Sequence, residues 1–408
     1  MSTFQSDDGS VRLLVISQFF PPESMGGAHR WEKLSKNLSE NVEARVLCPP
    51  PTFPYGEFDR DWTPYAQDEI NDIPVTRLWT WQPKDDDRIV GRVLNYGVFA
   101  VLATLYVLLN WWRFDVVVTM SAPHTTYLPG VVSKLMGRRW VVDIFDLWLD
   151  NAADLGYVDE DSLQYRFVNM LEYSSMHISD KIFVITETMC EFYLEKYPEV
   201  HEEKIEIIPF GVNTELFSPD TNTTNNGSDI IYTGNLGTGQ AFIPFLEAFA
   251  ELDLNLTLSI VGDGERREEL EKLVESLDIE DRVTFVGLVP REEIPERLSS
   301  AKVSLVPLKT EHSLDYARPN KMLEAMAVGT SYIASSVKEI TKISEQRNTG
   351  VATCNERLTI KDAMETLIQN PELREEMGEN GIKVINEEHD WEVIGQRATN
   401  SISKLVRE

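Results

Sequence analysis

The sequence predicts an α/β protein made of two domains, and three observations predict this class. Short apolar runs of strand type alternate with longer segments of helical periodicity along most of the chain. A polar segment rich in Asn, Thr and Gly, residues 218–229, interrupts this alternation, which then restarts. Glycine turns follow several of the apolar runs, at strand ends where open α/β sheets place their chemistry.

Length, composition and charge exclude several classes of protein. The chain has 408 residues, of which 42% are hydrophobic, and a net charge of -29. The length suits two folded domains, and the acidity argues against a nucleic-acid binder. The three cysteines show no metal-ligand spacing, and the polar N-terminus lacks signal-peptide features. We therefore expect a cytoplasmic protein.

The first predicted strand covers residues 11–17, and a glycine pair follows it before a helix. Gly26 and Gly27 stand where a backbone can approach a bound phosphate or sugar closely. A simple tight turn explains the pair as well. Further strands are predicted over residues 42–48, 75–81 and 115–120.

Three consecutive aspartates follow the third of these strands. Asp85, Asp86 and Asp87 have the composition of a divalent-metal site, but they lie in an evident loop, which favours a solvated cluster. We therefore predict no metal site.

Residues 93–112 form an uncharged apolar segment between two arginines, Arg92 and Arg113. It is long enough to cross a bilayer. Because strands of one predicted sheet lie on both sides of it, a true span is disfavoured. An in-plane membrane helix is the preferred interpretation, since tryptophans and arginines at its end suit an interface. An internal core helix remains the alternative.

A candidate catalytic carboxylate follows the next apolar strand, in residues 138–151 (RRWVVDIFDLWLDN). Asp143 and Asp146 lie at its carboxyl end, where such sheets bind ligands. Asp146 could instead only cap the following helix.

The second half repeats the strand, glycine turn and helix pattern. Residues 230–233 and 256–261 are predicted strands, which end at the turns 234–240 (GNLGTGQ) and 262–264. Residues 303–308 form another strand, and the segment 317–330 (ARPNKMLEAMAVGT) supplies a helix start, a helix and a stop at a glycine.

Two charged residues of that helix share a face. Lys321 and Glu324 are three residues apart. A lysine in the first helical turn opposes the macrodipole, so an anion held there would make electrostatic sense. An ordinary crossover helix with a solvated Lys-Glu pair is the other interpretation.

Taken together, these motifs resemble the GT-B glycosyltransferases of family 4, and more narrowly the WbuB-like branch of surface-glycan synthesis. The resemblance covers nearly the whole chain. Its marks are residues 21–38, PTFPYG at 51–56, DIFDLW at 143–148, IIPFGVNTELF at 207–217, the two glycine turns, and RPNKMLEAMAVGT with Glu339 downstream.

The resemblance implies two Rossmann-like domains facing a central cleft. Their expected ranges are residues 1–218, with a membrane-contact segment at 93–112, and residues 219–385, with a final helix in 386–408 that packs back on the first domain. The nucleotide-sugar donor is expected mostly on the second domain.

The family's donor-binding residues map onto this chain by position. Lys321 would receive the diphosphate, Glu324 the ribose hydroxyls, and Asp146 the donor sugar. The glycine turns and the helix start would complete the site, with Gly26 and Gly27 facing the donor from the first domain; the residues are Gly234, Asn235, Gly237, Gly262, Asp263, Gly264 and Asn320.

The chain departs from the family at two places. Tyr316 stands eight residues before Glu324, where many members carry a glutamate. The loop 234–240 also lacks an Arg and Lys pair, which leaves Lys321 as the main side-chain cation for the phosphates.

The implied activity is retaining transfer of a sugar, without a metal or other cofactor, to a lipid-linked saccharide or polyprenyl-phosphate acceptor at the inner face of the membrane. A nucleotide-sugar 2-epimerase and a non-catalytic sugar-nucleotide-binding subunit are the alternatives.

Overall fold

The computed structural model describes residues 10–407 apart from 24–26, 85–88, 155, 157, 220–226, 253–254 and 311–313. The chain separates into two compact units. The first unit comprises Met1–Pro209 with Ile394–Glu408, and the second unit comprises Phe210–Val393. Both are α/β, as the sequence predicts.

The first unit contains an eight-stranded sheet in the order β3-β4-β2-β1-β5-β6-β7-β8. The strands are β1 (Val11–Ile16), β2 (Val42–Cys48), β3 (Tyr65–Ile70), β4 (Ile73–Leu78), β5 (Val116–Met120), β6 (Arg139–Ile144), β7 (Lys181–Val184) and β8 (Ile205–Ile207). The central strands are buried along almost their whole length, which explains their continuous apolar sequences.

One antiparallel strand edges this otherwise parallel sheet. β3 pairs with β4 through a tight turn at Asn71 and Asp72, whose φ angles are 53° and 66°. Asn and Asp tolerate this left-handed conformation better than other residues with side chains.

Helices cover this sheet on both faces. They are α1 (Arg30–Lys36), α2 (Ile89–Asn110), α3 (Tyr127–Leu135), α4 (Trp148–Asp154), α5 (Leu163–Ile178) and α6 (Glu187–Lys196). The strand order runs from β5 through β6 to β7, so right-handed crossovers place α3 and α5 on one face. Helix α2 packs beside α3 on that face, and buries Phe99, Ala103 and Val107 against β1, β2 and β5.

The second unit is built on a six-stranded parallel sheet in the order β11-β10-β9-β12-β13-β14. Its strands are β9 (Ile230–Thr233), β10 (Leu258–Val261), β11 (Val283–Gly287), β12 (Val303–Val306), β13 (Tyr332–Ser335) and β14 (Gly350–Thr353). Its helices are α7 (Phe242–Ala250), α8 (Arg267–Ser276), α9 (Ile294–Ser299), α10 (Asn320–Ala327), α11 (Lys338–Arg347), α12 (Arg357–Gln369) and α13 (Pro371–Val384).

The last helix, α14 (Trp391–Arg407), returns the chain to the first unit. A Cβ at Gly395 would lie 2.1 Å from the carbonyl oxygen of Asn37, so the helix passes very close to the backbone after α1. Thr399 accepts a hydrogen bond from the backbone N–H of Ser39, and Ser401 donates one to Glu206 in β8. The final residues therefore complete the packing of the first unit.

Candidate functional site

Three loops of the second unit lie together at the carboxyl edge of its sheet. They follow β9, β10 and β12, which are neighbours in the sheet. The loop after β12 leads into α10, whose N-cap Pro319 has extended backbone angles (φ -66°, ψ 141°) and breaks the helix on its N-terminal side. Asn320, the first helical residue, is exposed. The helix N-terminus brings a partial positive charge to this edge.

The side chain of Lys321 lies across the first of these loops. Its Nζ donates hydrogen bonds to the Tyr232 hydroxyl, at 2.8 Å, and to Gln240 Oε1, at 2.7 Å. The ammonium also lies 4.4 Å from the centroid of the Tyr232 ring, within the range of a cation–π contact. Among the residues that the structure describes, both hydrogen-bond partners of this ammonium are neutral groups.

Burial makes the charged form of this lysine costly. It lowers the pKa of Lys321 to about 7, while the nearby Glu324 carboxylate opposes the shift. An ammonium that is partly desolvated and held by neutral groups gains strongly from an arriving anion. The surroundings of this lysine therefore favour an anion at this position.

Glycines at the ends of β9 and β10 let the two loops touch. Gly234 and Gly262 have φ angles of 135° and 136°, which side-chain-bearing residues rarely adopt. A Cβ on Gly262 would lie 1.9 Å from the carbonyl oxygen of Gly234. The same Gly234 lies against Lys321, because a Cβ there would be 3.4 Å from its Cε. The two turns and the lysine therefore form one surface.

The remaining predicted residues of these loops line the same surface. Leu236 donates a backbone hydrogen bond to the carbonyl oxygen of Asp263, at 2.9 Å. A Cβ on Gly264 would lie 2.5 Å from Asn235 Oδ1, and one on Gly237 would lie 2.9 Å from Asn235 Nδ2. Asn235 and Asp263 are exposed at the rim.

Glu324 lies on the same helix, one turn after Lys321, and is buried. Its Oε1 accepts a hydrogen bond from Arg291 Nη2 at 2.6 Å. Burial raises the pKa of Glu324, and the ion pair with Arg291 opposes that rise. The Arg291 side chain itself is 61% exposed and stacks over Phe217. The carboxylate is therefore held in place by a partner that lies at the surface.

Sequence reasoning did not single out Arg291, because the arginine precedes Glu324 by 33 residues and no motif marks it. The available signal was weak. Arg291 follows β11, and this strand is the neighbour of β10, which ends at the second glycine turn.

The segment before α10 is fixed by buried polar contacts. Arg318 forms an ion pair with Glu339 and contacts His389 Nε2 at 2.6 Å. The Glu339 backbone N–H also donates to the carbonyl oxygen of Asp315, at 2.8 Å. Tyr316 is buried. Glu339, which is only 1% exposed, therefore positions the loop that leads to Lys321.

In the first unit, Asp146 lines a small cavity of about 80 Å³ at the carboxyl edge of the sheet. It follows β6 and accepts a hydrogen bond from the Asn151 side chain at 2.8 Å. The walls are mostly apolar and aromatic, and they come from five segments: Ser17, Phe19, Gly27, Tyr96, Met120, Ser121, Ala122, Pro123, Phe145 and Trp148. A carboxylate among such walls can orient a bound sugar or stabilise a positive charge.

Gly27 faces the same cavity for a steric reason. A Cβ there would lie 2.3 Å from the Phe145 ring, so the backbone packs directly against that ring. Gly26 and the aspartates 85–87 lie outside the described residues.

Asp143, which lies within β6, has a structural role. Asp143 forms a fully buried ion pair with Arg30, whose Nε lies 2.8 Å from Oδ2, and it also accepts a hydrogen bond from the Trp31 indole. Arg30 donates further hydrogen bonds to the carbonyl oxygens of Ile208 and Pro209. The Arg30–Asp143 pair therefore ties α1 to β6, and Arg30 also ties it to the end of β8.

Comparisons with known proteins agree with this division. Residues 25–211 match the family described as Glycosyl transferase 4-like domain, and residues 213–384 match Glycosyl transferases group 1. A curated relative, the alpha-D-kanosaminyltransferase of Streptomyces kanamyceticus, is 32% identical over 155 residues. That alignment spans 37% of this chain and 39% of the relative.

Solved structures match over almost the full length. Sucrose-phosphate synthase from Thermosynechococcus elongatus superposes with a TM-score of 0.74 at 19% identity, covering 97% of this chain and 99% of that one. Anabaena Alr3699/HepE in complex with UDP gives a TM-score of 0.71 at 14% identity, covering 97% and 100%.

Two such α/β units, which superpose on these structures over almost their full length, define the GT-B fold. The two family matches make the assignment specific. The chain belongs to the GT-B glycosyltransferases with a 4-like N-terminal domain and a group 1 C-terminal domain.

Proposed function

We propose that the protein transfers a sugar from a nucleotide-diphosphate donor to a lipid-linked saccharide or polyprenyl-phosphate acceptor, with retention of anomeric configuration. The observation that carries this proposal is Lys321, a desolvated ammonium held by neutral partners at a helix N-terminus and against two glycine turns. The structure of HepE in complex with UDP supports the choice of donor class.

The donor would bind the second unit through groups that already lie together. The diphosphate would lie at the N-terminus of α10 between Lys321 and the turn at Gly234, since backbone N–H groups and the helix dipole favour anions there. The ribose hydroxyls would donate to Glu324, and the base would lie near residues 262–264. The lysine and the helix dipole supply the positive charge, so we propose no metal cofactor.

In the transfer step, the acceptor oxygen forms a bond to the anomeric carbon while the bond to the diphosphate breaks. The acceptor's proton passes to the departing phosphate, which leaves from the same face. Lys321 and the helix N-terminus stabilise the negative charge that develops on that phosphate. Asp146 orients the sugar or stabilises the positive charge on its ring.

The lipid acceptor is proposed from α2. The segment Val90–Arg113 is long and apolar enough to cross a membrane, yet only 28% of its most apolar window is buried. A core helix would be mostly buried, and therefore we propose an in-plane contact with the cytoplasmic face of the membrane. Membership of the WbuB-like branch of surface-glycan synthesis is part of the same proposal.

The experiment is transfer from labelled nucleotide sugars to extracted membrane lipids, followed by chromatography of the lipid and donor fractions. Asp146→Asn, Lys321→Ala and Glu324→Ala should each lower transfer at least about tenfold to a hundredfold. The exposed Lys272→Ala and Glu275→Ala on α8 are the matched controls and should behave as wild type.

The products separate the alternatives. Label in lipid supports the transferase, an isomerised donor would identify a 2-epimerase, and donor binding without either product would identify a non-catalytic subunit. Near-normal transfer in all three site variants would refute the assignment of these residues.

A further inference from the structure

Helix α2 presents a continuous apolar stripe to the outside of the first unit. Residues 90, 94, 97, 101, 105 and 108 follow one another at steps of three and four, which places them on one helical face, and Trp112 lies in the short 3-10 turn that follows. All are apolar side chains exposed by 40% or more, except Gly97, where a Cβ would meet nothing within 4 Å. The opposite face is the one that packs on the sheet.

A second apolar stripe, which the sequence did not suggest, lies on α5. Leu163, Phe167, Met170 and Ile178 recur at helical spacing and are exposed, Leu163 by 84% and Phe167 by 50%. Tyr173 adjoins them and is 47% exposed. The inward face of α5 is separate, with Leu171 and Met176 buried.

The two stripes belong to one layer of helices. Helix α3 lies between α2 and α5 and packs against both, on the same face of the sheet. The exposed Leu135 at its C-terminal end adds to the apolar surface between them. The layer α2–α3–α5 therefore presents a broad apolar face, which is unusual on a soluble protein.

The whole chain is strongly acidic, but this layer of helices contains more basic than acidic residues. Although 67 of the 408 residues are acidic, the three helices carry one acidic residue, Glu172, and that side chain is buried. The three helices carry the basic residues Arg92, Lys134 and Arg166, and Arg138 lies over Trp111 beside Arg113, just after α2. An acidic run, residues 159–161, lies before α5 begins and bounds the face on that side.

We propose that α2 and α5 form a single lipid-docking face that lies flat on an anionic bilayer, with α5 as the second point of contact. This inference rests on the membrane contact proposed above for α2 and extends it to a defined surface. The absence of exposed acidic side chains on the three helices suits anionic headgroups. A second copy of the chain is a poorer occupant, because the three helices offer no exposed acidic side chain that could pair with the basic residues of another copy.

The test is vesicle flotation of the full chain with phosphatidylcholine vesicles containing about 30% phosphatidylglycerol, and with pure phosphatidylcholine vesicles. Phe167→Gln with Met170→Gln removes the α5 stripe, and Val101→Gln with Leu105→Gln removes part of the α2 stripe. We expect each pair to lower vesicle partitioning by about tenfold or more.

Two controls check folding and specificity. Leu288→Gln with Leu358→Gln changes exposed apolar side chains of the second unit and should leave partitioning unchanged. The variants should have melting temperatures and circular-dichroism spectra equal to those of wild type, which shows that the first unit still folds.

Each outcome decides the matter. Wild-type protein that binds neither kind of vesicle refutes the membrane contact altogether, and this inference with it. Wild type that binds, with an unchanged α5 pair and a weakened α2 pair, refutes this inference alone. If the α2 and α5 variants lose a self-association that wild type shows in sedimentation, but still bind vesicles, the face belongs to a second copy of the chain. That result would also refute this inference.

Discussion

The protonation of Lys321 should make donor binding depend on pH in a specific direction. In the ligand-free protein, burial lowers the pKa of this lysine to about 7, from an ordinary 10.5. The diphosphate of the proposed donor would prefer the ammonium, so its binding at Lys321 would raise that pKa again. Its own phosphates are both esterified and do not titrate in the neutral range, which leaves the lysine as the proton acceptor.

The size of the effect follows from linkage. Below about pH 7 the lysine is already charged, and the affinity should be flat. Above that value the affinity should fall by about tenfold per pH unit, or about a hundredfold between pH 7 and pH 9, until the pKa of the bound state is reached. The ligand-free protein should show the opposite trend and gain stability as pH rises from 7 toward 10.5, because the unfolded chain then binds the extra proton.

Calorimetric titration with UDP-glucose in two buffers of different ionisation enthalpy measures both the affinity and the proton uptake. Lys321→Arg is the matched control, because its guanidinium remains charged throughout, and its affinity should not change with pH. Lys321→Met should bind weakly at every pH. A wild-type affinity that is constant from pH 7 to 9 would refute the reasoning. So would an affinity of Lys321→Arg that falls with pH as steeply as that of wild type.

Three further outcomes are expected. Glu324→Gln should lower the preference for uridine over 2′-deoxyuridine nucleotides by about tenfold, as measured by competition binding, and an unchanged preference would remove Glu324 from the ribose site. Gly262→Ala should destabilise the second unit by about 2–4 kcal/mol in denaturant unfolding, since its Cβ would meet the Gly234 carbonyl oxygen, whereas Gly97→Ala should be neutral or slightly stabilising. Arg30→Met should destabilise the first unit by about 3–5 kcal/mol, because it leaves a buried carboxylate unpaired; a melting temperature equal to that of wild type would contradict this.

The sequence was sufficient to predict the fold class because the central strands of both sheets are buried and therefore continuously apolar. Strand β3 was missed for the complementary reason. Its sequence, YAQDEI, is polar and mostly exposed, and it is a strand because it pairs with β4 across the turn at Asn71 and Asp72. Helix and strand periodicity carries no signal for an edge strand of that kind.

The candidate site, like the fold, was predictable only where a local sequence pattern marks it. The glycine turns and the helix start have local sequence patterns, and the structure places them on one edge of the second sheet. The environment of Lys321 has no local pattern, because Tyr232 and Gln240 come from more than 80 residues earlier in the chain. The lowered pKa, the Arg291 partner of Glu324 and the α5 stripe all depend on tertiary packing, so only the structure could reveal them.

The return of α14 to the first unit has a consequence for biosynthesis. A ribosome synthesises the chain from the N-terminal side, so residues 1–209 emerge long before residues 394–407, which pack on them. Until residues 394–407 have left the ribosome, the backbone after α1 and the edge at β8 lack the helix that covers them in the folded unit. The second unit, which is continuous in sequence, can therefore complete its folding before the first unit does.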